Sequence, residues 1–170
     1  MSLINKNFKI KLFNSGPILL LYFLSITEMD TEFSNLFEIL SFSLQFIVIY
    51  YWMLKMPSAL GNGHIFFAGI INDVIMSLTL GTSAITYLII SFIASYIRNV
   101  TVNTSFISDW FTFLIALIFS NFSYLLLINN FTDLVINYTE ISYNIFFTML
   151  FFPIFWKFLN IYAALGRFER

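Results

Sequence analysis

The chain has 170 residues, of which 59% are hydrophobic and only 10% charged, with a net charge of -1. A mean hydropathy of +0.86 is beyond what a water-soluble domain of this size carries, so the sequence reads as an all-α integral membrane protein occupying residues 1–170 as a single transmembrane domain. The absence of cysteine and the single His64 exclude disulfide frameworks, thiol chemistry and a zinc site built by this chain alone, and the charge argues against nucleic acid as a partner.

Apolar blocks at 12–27, 35–54, 64–80, 83–97, 107–128 and 141–162 predict six transmembrane helices. The first follows Lys6, Lys9 and Lys11 and has no small-x-small cleavage site behind it, so it is expected to stay as an uncleaved helix with Pro17 in its first turns. The second ends in "YYW" at 50–52. With Phe155 and Trp156 of the sixth block, these aromatics are expected in an interfacial belt at the cytoplasmic helix ends.

The third block opens with Gly61, Gly63 and His64 and continues through Gly69 to Asn72 and Asp73. Small residues let helices approach closely, within the chain or against a partner's helix. Only "LGTS" separates this block from the fourth, which makes the two a tight helical hairpin or a re-entrant pair. An ionisable group near a helix centre costs about 2.5–3.5 kcal/mol to insert, so Asp73 is expected to face protein. Its expected setting is a hydrogen-bonded cluster level with Gln45, Ser120, Asn121 and Thr148, with the carboxyl protonated or well solvated and without an ion pair to Arg98. Ser91 and Ser95 give the fourth block a small-xxx-small spacing, and Pro153 is expected to bend the sixth.

With the N-terminus inside, Lys6, Lys9, Lys11, Lys55, Arg98, Lys157, Arg167 and Arg170 all fall on the cytoplasmic side. Glu28, Asp30, Glu32, Glu38, Asp133 and Glu140 fall outside. That asymmetry obeys the positive-inside rule, and six spans return the C-terminus to the cytoplasm. No Ser/His/Asp set, phosphate loop or HExxH motif occurs, so the sequence does not read as an enzyme and implies no cofactor or metal.

The stretch from Tyr50 to Arg98 resembles the central block of the rod shape-determining protein MreD family. The matching positions are Tyr51, Trp52, Pro57, Gly69, Asp73, Leu80, Gly81, Ala84, Tyr87 and Arg98; Asn72, beside Asp73, joins Tyr51, Trp52, Pro57, Gly69, Asp73, Gly81 and Arg98 as a candidate functional residue. Two departures bear on local geometry. Ser77 and Thr79 stand near positions where many relatives carry a small residue or glycine and a proline, and a proline common at the start of the second helix is replaced around Ser41.

The resemblance implies a non-enzymatic scaffold or regulator in the bacterial inner membrane, multi-pass, acting in cell-wall elongation. Its implied partner is MreC and, through it, MreB, the glycosyltransferase RodA and an elongation transpeptidase, with membrane lipids around it. The family is similar in fold to the substrate-binding components of energy-coupling-factor vitamin transporters, which supplies the alternative function. Such a component needs a polar pocket open to the outside, which Gln45, Asn72, Asp73, Thr86, Ser120 and Asn121 are placed to line. No Arg or Lys lies deep in a span to hold an anionic vitamin.

Overall fold

The computed structural model describes residues 2–27, 43–101, 105–131 and 138–167. Within them the chain is all helix: α1 (Ser2–Thr27), α2 (Leu44–Lys55), a 3-10 turn at Pro57–Ala59, α3 (Asn62–Ile75), α4 (Thr82–Val100), α5 (Phe106–Phe131) and α6 (Tyr138–Arg167). The first eight residues of the expected second block, the acids between 28 and 38, the replaced proline around Ser41, Asp133 and Arg170 lie outside the described residues.

The segment "LQFIVIYYWMLK" carries no polar face wide enough to meet water, and a helix that is apolar all round belongs in an interior. α2 is accordingly central, with every residue from Gln45 to Leu54 buried. It packs against α1, α4 and α6 along its length and reaches α5 through Tyr50 and Lys55. The other helices adjoin one another in the order α1, α3, α4, α5, α6. Gly16 of α1 closes the ring, because a side chain added there would run into the Tyr162 hydroxyl of α6.

α4, α5 and the Tyr138–Ala164 part of α6 are long and apolar enough to cross a membrane, which makes this a membrane protein. Their outward faces carry bare large hydrophobics such as Phe92, Phe111 and Phe158, at home among lipid tails and unsuited to water.

α1 runs straight through Pro17, which therefore sits in mid-helix and not in the first turns. α3 stops at Ile75, five residues before the expected end. Its 14 residues rise only about 21 Å, short of the roughly 30 Å of a bilayer core. Residues 76–81 form a turn, and α3 and α4 make an antiparallel hairpin. Asn62 pairs with Ser91, Gly69 lies against Ala84 and Asp73 reaches Gly81.

Candidate functional site

Asp73 occupies the last turn of α3 and is fully buried. Its Oδ2 accepts the backbone N–H of Gly81 and its Oδ1 that of Ser83, each at 2.7 Å. Gly81 is the residue that precedes α4, and the first N–H groups of any helix lack intrahelical partners. Ordinarily a serine or aspartate at that position would accept one of them. Here the position holds glycine with φ of +103°, and the carboxylate that does the capping arrives from the preceding helix. The partial positive charge at the start of α4 further favours a carboxylate there.

Asp73 is thus interior and hydrogen-bonded, as the sequence suggested. Its depth and its partners are not as expected. It lies at the hairpin end and not at a helix centre, and it holds two backbone amides and not side chains. Gly69 lets this happen. A Cβ at that position would collide with the Ala84 backbone, so glycine sets how near α3 can lie to α4. The close-approach surface around Gly69 is used within the chain.

Beside Asp73, the buried Asn72 donates from Nδ2 to the Ser83 hydroxyl at 3.1 Å. Its Oδ1 has no partner among the described residues. Asn72 lines a cavity of about 390 Å³ with Gln45, Ser83, Thr86, Asn121 and Asn144, and with apolar walls that include Phe46, Met76 and Tyr87. Of the six residues expected in a pocket, four line it. Asp73 and Ser120 do not. At the same end, Thr148 accepts the backbone N–H of Ser43 and holds Asn144 at 3.3 Å.

The opposite end of the bundle, where α2 ends at Lys55 and α4 ends just past Arg98, corrects the aromatic belt. Tyr50, Tyr51 and Trp52 are buried to within 1% of complete, and Trp156 is buried beside them. Phe113 and Phe152 stack at 4.2 Å, Tyr50 packs on both, and Tyr51 stands edge-on to Trp156 at 4.9 Å. Tyrosine and tryptophan suit an interface because one end is polar, but a buried hydroxyl serves equally if it finds a partner. Tyr50 does so at Thr112, 2.6 Å away, and Tyr51 at the Asn160 Oδ1, 2.9 Å away.

Sequence reasoning missed Asp109. It lies in the first turn of α5, buried, with Oδ2 3.0 Å from the Lys55 ammonium. Lys55 also stands 5.1 Å above the Trp156 ring, a cation–π distance. The signal was an acid in the first turn of a helix, where the macrodipole favours it.

Among the remaining candidates, Pro57 opens the 3-10 turn after α2, a position that needs no N–H from it. Arg98 is exposed near the end of α4 and donates to the Asn99 Oδ1 at 3.4 Å. His64 lies 3.0 Å from the Tyr22 hydroxyl, and Ser91 donates to Asn62 at 2.8 Å. Ser77 adopts a φ of +53°, a conformation that favours glycine, so the departure from the family pattern there falls on a strained position. The structure brings Asn72, Asp73, Gly69 and Gly81 together at the hairpin, sets Tyr51, Trp52 and Pro57 around the other end of α2, and leaves Arg98 apart. No group of three or more potential metal ligands occurs among the described residues.

Comparison with known families gives one match: the model described as rod shape-determining protein MreD covers residues 9–162. No curated protein and no solved structure matches the chain.

Proposed function

Since the chain belongs to the MreD family and so to the machinery of rod-shape determination, we propose that it acts there as a non-enzymatic inner-membrane scaffold for MreC. The observation behind this reading is the fate of the interior polar groups. Asp73 is engaged by Gly81 and Ser83, Lys55 by Asp109, Tyr51 by Asn160 and Ser91 by Asn62. These contacts fix helices to one another and leave large apolar side chains on the outer faces. A body of that kind influences a partner by packing differently on its alternative conformations.

The family match supports rod-shape determination; the partnership with MreC, and through it with MreB, RodA and an elongation transpeptidase, is our reading. Six crossings with both termini in the cytoplasm are part of the same proposal, because α2 ends at Lys55 and α4 just past Arg98, at one end of the bundle. The test is affinity purification of the tagged protein from native membranes, together with rescue of rod shape in cells lacking it. MreC is expected to co-purify. Rescue of shape without MreC in the eluate would rule out the scaffold.

A second reading, the substrate-binding component of a vitamin-type transporter, is favoured by the cavity that Gln45, Asn72, Thr86 and Asn121 line. It requires an energising ATPase module to co-purify in place of MreC.

A further inference from the structure

The cavity at the hairpin end has a chemistry that neither packing nor scaffolding uses. Its volume, about 390 Å³, lies within the range of small-molecule sites, roughly 300–1,000 Å³. Apart from Glu140, its polar lining is amide and hydroxyl: Gln45, Asn72, Thr86, Asn121 and Asn144 come from α2, α3, α4, α5 and α6, so every helix but α1 contributes. Glu140 is the one charged lining residue among those described, and no lysine or arginine is present to hold an anion. Phe46, Tyr87 and Tyr124 add aromatic surface.

Asn72, one of the lining residues, carries a polar atom unmet among the described residues. Its Nδ2 is fixed by the Ser83 hydroxyl, which orients the amide and leaves Oδ1, buried and without a partner among the described residues, as an acceptor. A buried acceptor with no donor is costly and usually marks a missing partner. The Thr86 hydroxyl donates to the Thr82 carbonyl at 2.8 Å, so its oxygen lone pairs stay available as a second acceptor.

We propose that this cavity binds an uncharged ligand rich in hydroxyl and amide groups, a sugar either free or as the headgroup of a lipid. The ligand donates to Asn72 Oδ1 and rests its apolar face on the aromatic wall.

The test uses the full chain in nanodiscs, titrated with N-acetylglucosamine, which carries both hydroxyls and an acetamide, and with glucuronate as a charged counterpart of similar size. Native mass spectrometry of protein taken from its own membranes reports any lipid that travels with it. Saturable one-to-one binding of N-acetylglucosamine, weakened at least tenfold by Asn72→Leu and by Thr86→Val and not matched by glucuronate, is the result expected for a free sugar. A neutral glycolipid on the wild-type protein, absent from both variants, is the result expected for a lipid headgroup. Should Asn72→Leu fail to fold, Thr86→Val and Asn144→Leu carry the comparison. The proposal is overturned if neither ligand is found, if the variants bind as well as the wild type, or if glucuronate binds as tightly as N-acetylglucosamine.

Discussion

The carboxylate of Asp73 accepts the backbone N–H of Gly81, eight residues further on, at 2.7 Å, and so one helix supplies the cap of the next. Removing it strands the buried amide of Ser83, at a cost of about 1–3 kcal/mol, and the half-buried amide of Gly81. Asp73→Leu is therefore expected to destabilise strongly. Asp73→Asn keeps one acceptor and turns an NH2 group toward the other amide, so it should lie between Asp73→Leu and the wild type. Thermal unfolding in detergent and rescue of rod shape measure both, and equal stability of Asp73→Leu and wild type would refute the capping role.

At Gly69 even alanine is too large. The added methyl would meet the Ala84 backbone, and overpacking of this kind costs about 1–3 kcal/mol. Gly69→Ala should lower the unfolding temperature of the purified protein with no partner present, with Gly69→Leu lower still. If both variants unfold like the wild type and lose only their association with MreC, Gly69 serves an intermolecular face instead.

Ser77 offers a gain. Its φ of +53° carries a penalty of about 1–2 kcal/mol for an L-residue, part of which glycine returns through its freer unfolded chain. Ser77→Gly should stabilise by up to about 1 kcal/mol, read as a higher unfolding temperature. A drop would mean that the serine side chain supplies more than its backbone costs.

Breaking the Lys55–Asp109 pair from one side leaves a charge in the interior, an effect of about 3 kcal/mol or more. Lys55→Met should therefore be poorly stable, and the double variant Lys55→Met with Asp109→Leu should recover most of the loss. A double variant no better than the single one would show that the pair is not coupled.

Reporter fusions should read cytoplasmic after Lys55, Arg98 and Arg170 and periplasmic after Glu32 and Asp133. A periplasmic signal at Arg98 would refute six crossings.

Composition made the membrane setting and the all-helical class legible, because nothing else accommodates so much apolar surface. That the third and fourth blocks adjoin was legible from their short separation, although the connection lies at 76–81 and not at "LGTS", whose Thr82 and Ser83 belong to α4. The depth of Asp73 was not. Hydropathy counts Met76, Leu78 and Leu80 as span, whereas the left-handed backbone at Ser77 ends the helix first. The burial of Tyr50, Tyr51 and Trp52 was equally hidden, because the residue types of an interfacial belt are also those of a core whose hydroxyls find partners. Asp109 depended on Lys55, and no local pattern reveals a pair formed across two elements.

Lys55 and Asp109 are separated by 54 positions, and Tyr51 from Asn160 by 109. At roughly 5–20 residues per second of synthesis, α2 is finished several seconds before α5 brings the acid and longer still before α6 brings the amide. During that interval the ammonium of Lys55 waits for Asp109, and the phenols of Tyr50 and Tyr51 wait for Thr112 and Asn160. α2 therefore spends that interval without the contacts that α5 and α6 bring to it in the finished molecule.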